Sequence, residues 1–293
     1  MKILLTGGSG FLGSALAQYW EKQGHEMFLL LRERSDLWRF GDQTKKFKTC
    51  NYKSDADILN FVARSSPNIV VHTACSYGRK GESYIELIDS NIRLGLLILQ
   101  SIESGGNSVS FINIGTALPP EVSFYALTKS HFRQSASSIA EKSLKKISFT
   151  SVILQQVFGA FDDESKFVTS ILHACQRNEK EIQLTSGNQL RDFIYLDDAV
   201  EALDMILREC EYGRILNEYQ VGSGIEFTIQ EAARMIHKIT KSKSELMFGS
   251  IPTRINEPRQ CVADLSIMTA IGWHPKINLE TGIMLTIQKE MCL

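Results

Sequence analysis

At 293 residues, with 43% hydrophobic and 22% charged residues, the chain has the composition of a folded protein and is long enough for one elaborated α/β unit, which excludes extended disorder. Its 32 basic and 33 acidic residues leave a formal net charge of -1, so there is no electrostatic footprint for nucleic acid, and the short runs Lys45-Lys46-Phe47-Lys48 and Lys145-Lys146 read as solvated turns. No apolar run approaches membrane-spanning length, Ile3-Leu4-Leu5 is too brief for a signal core, and six dispersed cysteines without a CxxC pair suit reduced thiols, so a cytoplasmic location is expected.

The chain opens with a short buried strand, Ile3 to Thr6, and the loop Thr6-Gly7-Gly8-Ser9-Gly10-Phe11-Leu12-Gly13 follows at once, with a helix over Phe11 to Gln23 behind it. Glycine removes the Cβ that would hold the backbone away from a pyrophosphate, and the helix offers N–H groups and the positive end of its dipole. The loop therefore predicts dinucleotide binding through Gly7, Gly10, Phe11, Leu12 and Gly13. The second strand, Met27 to Leu31, ends at Arg32, where an NAD-specific enzyme carries an acid for the ribose 2′-OH. Arg32, Arg34 and Ser35 instead offer an anion site for a 2′-phosphate, which favours NADPH/NADP as cofactor. The alternative leaves Arg32 as a solvent-facing strand end and puts Glu33 on the ribose.

Further buried strands are predicted at Ile69 to His72, Val109 to Ile114 and Ile147 to Leu154, with helices over Tyr84 to Glu103 and Tyr125 to Lys142 as crossovers. That alternation gives the fold class: α/β, a Rossmann-type doubly wound parallel sheet. After Gly159 glycines and prolines punctuate shorter elements, which predicts a smaller C-terminal substrate-binding lobe. The strand-like run Arg191 to Tyr195, closed by Asp197-Asp198 at a helix start, suggests that the chain revisits the first domain. The expected division is a dinucleotide domain over 1–158, rejoined by about 191–223, and a lobe made of 159–190 and 224–293.

Tyr125 and Lys129 stand at i and i+4, hence on one face of a helix, and Gly115-Thr116 ends the preceding strand. That carboxyl edge is where open α/β sheets bind ligands. Reduction of a ketone by hydride leaves an alkoxide that must be protonated as it forms, so an acid is needed within hydrogen-bonding reach. Tyr125 is the expected acid, Lys129 the cation that brings its phenol down toward neutrality, and Thr116 the group that orients the carbonyl oxygen. Six histidines show no metal-ligand spacing, and no metal is expected.

With these residues in view, the sequence resembles the extended short-chain dehydrogenase/reductase family along essentially its whole length. The resemblance rests on the glycine loop, Val71-His72-Thr73-Ala74, Asn91, Thr116, Tyr125 with Lys129, Arg191-Asp192-Phe193 and Gly272-Trp273. Within the family, Cys75-Ser76-Tyr77-Gly78-Arg79, Ile112 to Pro120, Gly159-Ala160-Phe161-Asp162 and Leu184-Thr185-Ser186-Gly187 resemble the 4-ketoreductases that make CDP-3,6-dideoxyhexoses for bacterial O-antigen. The resemblance implies a CDP-4-keto-dideoxysugar as substrate. It also implies cofactor contacts at Asn51, Thr73, Ala74 and Asn91, and substrate contacts at Cys75, Tyr77, Lys166 or Phe167, Arg191, Arg254 and Glu257. Asn51 departs from the aspartate many relatives carry near the adenine. Relatives commonly form homodimers through helices here spanning Asn91 to Ser101 and Tyr125 to Ala140, where Leu94, Leu97 and Ile98 serve either a partner or the sheet.

Three rival functions remain. A dehydratase needs a carboxylate beside the threonine, and Ala117-Leu118-Pro119-Pro120 supplies none. An epimerase keeps one NAD through a closed cycle, which Arg32 disfavours. A non-catalytic NADP(H)-binding protein has no use for the Tyr125/Lys129 pair.

Overall fold

The computed structural model describes residues 1–143, 147–211 and 218–292, so the Lys145-Lys146 run lies outside the described residues. In chain order the strands are β1 (Lys2–Thr6), β2 (Glu26–Arg32), β3 (Lys48–Tyr52), β4 (Ile69–His72), β5 (Val109–Ile114), β6 (Ile147–Leu154), β7 (Gln156–Phe158), β8 (Glu181–Leu184), β9 (Leu190–Tyr195), β10 (Glu218–Val221), β11 (Glu226–Thr228), β12 (Glu245–Phe248) and β13 (Gln260–Cys261). The helices are α1 (Phe11–Lys22), α2 (Asp55–Ser65), α3 (Tyr84–Ile88), α4 (Leu94–Ser104), α5 (Phe124–Lys142), α6 (Phe167–Gln176), α7 (Leu196–Glu211), α8 (Ile229–Thr240), α9 (Ser266–Ala270) and α10 (Leu279–Met291). None of the described helices is long and apolar enough to cross a membrane.

By packing, the chain divides into two units: Met1–Thr116 with Ser123–Ile153 and Leu203–Tyr219, and Ala117–Val122 with Leu154–Ala202 and Gln220–Leu293. In the first, β1 has β2 on one side and β4 on the other, within the order β10-β6-β5-β4-β1-β2-β3. Neighbours from β6 through β3 pair in parallel. The chain winds outward from β1 in both directions, so the carboxyl end of β1 is the switch point of the sheet. β1, β2 and β4 read as continuous apolar runs because helices cover both faces of a parallel sheet. β3 gave no such signal: it is an edge strand with Lys48, Thr49 and Asn51 exposed, and Lys48, expected in a turn, opens it.

The helix expected over Tyr84 to Glu103 is present but carries one wider turn, Asp89–Arg93, between α3 and α4. Such π-type turns displace the side chains around them, and this one contains Asn91. Leu94 and Ile98 point into the core with Val70, Phe111 and Phe132, so these two face the sheet, while Leu97 packs partly buried at its margin.

In the second unit β9 is central, antiparallel to β11 and parallel to β13 and β7. By packing, residues 154–202 group with this unit, and the chain rejoins the first over Leu203–Tyr219. Phe158, Phe193, Tyr195, Leu172, Ile236 and Ile283 form its core.

Asp192 on β9 is fully buried and binds four donors: the Ser223 N–H at 2.7 Å, the Ser223 hydroxyl at 2.7 Å, the Gly224 N–H at 3.0 Å and the Ala263 N–H at 3.2 Å. Gly222 is required beside it, since a Cβ there would stand 2.2 Å from Asp192 Oδ2. Asp192→Ala strands several buried donors at once, and we expect it to destabilise the protein by about 3–5 kcal/mol, read as a lower urea midpoint. An unchanged midpoint would contradict that assignment.

Candidate active site

At the switch point the glycine loop is shaped by close approach. Gly7 has φ +68°, and a Cβ there would meet Thr73 Oγ1 at 2.6 Å and the Ala74 nitrogen at 2.7 Å. A Cβ on Gly13 would stand 2.2 Å from the Gly7 carbonyl oxygen. Gly7 thus lets the loop press against the end of β4, and Gly13 lets α1 start directly over the loop. α1 begins at Phe11 after Gly10, with no side chain capping it, so its first turn presents backbone N–H groups and a positive dipole end to an anion. This cradle fits a dinucleotide pyrophosphate. Thr73 and Ala74 form its rear wall: the Thr73 hydroxyl donates to the Thr6 carbonyl at 2.7 Å, and the Ala74 N–H to the Thr6 hydroxyl at 3.2 Å.

At the end of β2 the Ser35 N–H closes a turn onto the Arg32 carbonyl at 3.0 Å, leaving the side chains of Arg32 and Arg34 exposed and Ser35 half-buried. Asn51 braces this corner from β3, its amide donating to the Arg32 and Glu33 carbonyls, each at 3.5 Å. Glu33, the alternative ribose ligand, pairs with Lys53 at 2.8 Å. Sequence reasoning missed Arg39. Its guanidinium donates to the Ser9 carbonyl of the glycine loop at 3.3 Å and lies 4.4 Å from the Trp38 ring centroid, adding a third cation near the cofactor corner. A third arginine within eight residues of the end of β2 was the available signal.

The three residues expected to be catalytic, Thr116, Tyr125 and Lys129, lie in the first unit. The Ser123 hydroxyl accepts from the Ala126 N–H at 3.2 Å, which starts α5 one residue before Tyr125 and fixes the direction of its first turn. A side-chain hydrogen bond joins Thr116, just past β5, to the Tyr125 phenol. Burial pushes the phenol well above the ordinary tyrosine range; the Cys75 thiol nearby adds to the rise, while the Thr116 hydrogen bond and the Arg79 charge oppose it. Lys129, one turn along, is buried, and burial pulls its ammonium down against the influence of Cys75. Loss of water on burial, rather than the positive charge of Arg79, sets the direction of the phenol's shift.

Asn91, expected as a cofactor contact, is enclosed by the chain's own groups. It is 0% exposed, accepts from the Ser76 N–H at 2.7 Å, and donates to the Ser76 carbonyl at 3.0 Å and the Thr128 hydroxyl at 2.9 Å. With its amide engaged on the chain itself, it ties the segment carrying Cys75 and Tyr77 to the helix carrying Tyr125 and Lys129. The Tyr77 ring lies against Tyr125, centroids 4.8 Å apart.

The remaining expected substrate residues lie in the second unit. Arg191 is 2% exposed and donates to the Leu190 carbonyl at 2.6 Å and the Pro258 carbonyl at 3.0 Å, while its other amino group pairs with Glu257. The Glu257 N–H bonds the Arg254 carbonyl at 3.3 Å, so a turn gathers all three residues, with Arg254 exposed. Arg191 and Glu257, both expected to contact substrate, pair with each other. Lys166 pairs with buried Asp162 at 2.9 Å, and Phe167 packs on Phe193 with centroids 5.9 Å apart, so both are turned to the chain's own groups.

A family model described as the NAD dependent epimerase/dehydratase family matches residues 3–222. The chain belongs to that family. Among similar proteins, CDP-abequose synthase of Salmonella typhimurium is 27% identical over 289 residues, covering 96% of this chain and 95% of the relative. CDP-abequose synthase of Yersinia pseudotuberculosis is 28% identical over 268 residues, covering 85% and 88%. The structure of UDP-glucose 4-epimerase from Thermotoga maritima with UDP-glucose superposes with a TM-score of 0.85 at 20% identity, covering 100% of both chains, and bears on the fold alone.

Behind the trio, His72 is fully buried, paired through Nδ1 with the Thr6 hydroxyl at 2.8 Å and enclosed by Phe111 and Phe132. Burial, and then the Lys129 charge, pull it down to about 3. Its folded value lies below its unfolded one, so the unfolded chain takes up the proton first on acidification. The stabilising effect is complete above the unfolded value near 6.5 and is lost as the pH falls toward 3. We expect this group to remove about 2 kcal/mol of stability between pH 7 and pH 5, a component that His72→Gln abolishes in urea titrations. Identical acid sensitivity in the variant would contradict it.

Proposed function

We propose that this chain is an NADPH-dependent 4-ketoreductase of a nucleotide-activated deoxysugar, reducing CDP-4-dehydro-3,6-dideoxy-D-glucose to CDP-paratose. The observation that carries the reading is the Tyr125 phenol hydrogen-bonded to Thr116 at the carboxyl edge of the sheet, one helical turn before buried Lys129. When bound, the nicotinamide supplies the hydride. Thr116 orients the ketone oxygen, Tyr125 gives that oxygen its proton, and Lys129 offsets the negative charge left on the phenol. The exposed Arg32 and Arg34 hold the 2′-phosphate of the dinucleotide, supported by the engagement of Glu33 with Lys53. Arg254, beside the Arg191–Glu257 pair, is the available guanidinium for a substrate phosphate. A homodimer and a cytoplasmic location complete the proposal.

A second reading concerns the product's configuration. Several relatives are CDP-abequose synthases, which favours hydride delivery to the opposite face of the same ketone and CDP-abequose as product.

The test is incubation with NADPH and a panel of 4-keto nucleotide sugars, following loss of the reduced-nicotinamide absorbance and determining the product's configuration. Oxidation with the CDP-4-keto-3,6-dideoxysugar is expected, and no oxidation with any substrate would overturn the reductase reading. Tyr125→Phe should lower kcat by about two to four orders of magnitude while cofactor affinity stays close to wild type. Arg32→Asp should weaken NADPH far more than NADH in calorimetric titrations, whereas equal losses would remove the basis for NADP preference.

A further inference from the structure

The cation acting on the Tyr125 phenol from outside its own helix comes from the segment after β4. Three observations describe that arm. Its base is fixed, because Asn91 binds both the N–H and the carbonyl of Ser76. Its far end is stitched back, because Glu82 accepts from the Ser76 hydroxyl at 2.8 Å and from the Lys80 N–H at 2.7 Å. Between them Gly78 turns the chain at φ +68°, where a side chain would also press on Leu87 at 3.2 Å. The turn separates Tyr77 from Arg79 yet leaves them stacked, with the Arg79 guanidinium carbon 5.3 Å from the Tyr77 ring centroid. Tyr77 in turn lies on Tyr125, the planes inclined by 38°. The order is therefore guanidinium, ring, catalytic ring. Although Tyr77 is 41% exposed, it covers one side of the phenol.

We propose that Arg79 is a positioning residue for the proton donor: stacked on Tyr77, it supplies a second positive charge, beyond Lys129, that steadies the phenolate left when Tyr125 gives up its proton.

This rests on the reductase reading. In that reaction the Tyr125 O–H bond breaks and an O–H bond forms on the former ketone oxygen, while the hydride pair from the nicotinamide forms the new C–H bond. A negative charge then stays on Tyr125 until solvent returns a proton. That charge develops where burial opposes it most, so a fixed cation is worth more there than in water. The groups acting on the phenol are Cys75 from the segment after β4, Arg79 from the arm and Thr116 past β5, with the Tyr77 ring packed on Tyr125 and Lys129 one turn along α5. Cys75 raises the phenol, while the Arg79 charge and the Thr116 hydrogen bond lower it. A guanidinium suits the position because its flat face stacks on a ring and it stays charged at any working pH.

The experiment compares wild type, Arg79→Gln and Arg79→Lys. Ketone reduction needs the protonated phenol, so the rate falls as the pH rises through the phenol's ionisation. Removing a cation moves that alkaline limb to higher pH and makes the phenol a poorer donor. Arg79→Gln should lower kcat about tenfold with KM nearly unchanged and shift the limb upward by about one pH unit, and Arg79→Lys should recover most of both. An unshifted limb with wild-type kcat, or a change confined to KM, would overturn the proposal.

A second readout does not depend on turnover. With tyrosine labelled at its phenol carbon, the Tyr125 resonance is assigned by its loss in Tyr125→Phe and titrated in the cofactor-free protein. The midpoint should lie higher in Arg79→Gln than in wild type, and equal midpoints would overturn the proposal. If wild type reduces no keto sugar, the reductase reading fails while this titration still decides the effect of Arg79 on the phenol.

Discussion

A phenol can serve as a catalytic acid only if its oxygen is fixed and its proton is not lost to solvent beforehand; at Tyr125 the contact with Thr116 holds the oxygen, while burial, which opposes the phenolate, favours the protonated form. The contact exists because β5 delivers Thr116 to the carboxyl edge of the sheet and because Ser123 caps α5 so that Tyr125 falls in its first turn. Asn91 then joins α5 to the segment after β4. Three separate stretches of chain thus converge on one oxygen. Burial of the phenol and of Lys129 raises the cost of charge at this point, which keeps the resting acid protonated and gives every nearby cation more leverage.

Much of the first unit was legible because its signals are strictly local. A glycine loop after an apolar strand, a strand that reads as apolar without alternation, and a tyrosine four residues before a lysine each depend on neighbours in sequence, and each is where it was expected. β3 was not legible, since an edge strand with exposed Lys48, Thr49 and Asn51 lacks the apolar run that marked its neighbours. Nor was the role of Asn91, which depends on a wider turn in a helix and on hydrogen bonds to Ser76 and Thr128, fifteen and thirty-seven residues away. Sequence spacing shows Lys129 one turn from Tyr125, but not the loss of water around both groups.

The second unit was less legible. The family resemblance named Arg191 and Glu257 as substrate contacts without showing that a turn at Arg254 and a buried guanidinium bring the two into one ion pair. The buried arginine has its donors met by two carbonyls and a carboxylate, with Arg254 exposed beside it. The second sheet likewise centres on β9, whose Asp192 gathers the Ser223, Gly224 and Ala263 backbone.

The central claim is net reduction of a sugar ketone, with the proton coming from Tyr125. Its most direct test is a single turnover with NADPH deuterated at the transferable position of the nicotinamide. The account predicts one deuterium on the former carbonyl carbon of the sugar, one NADP released per sugar, and loss of that transfer in Tyr125→Phe. A sugar product that carries no deuterium, with the added NADPH left intact, would contradict it and point to a closed cycle on a retained cofactor.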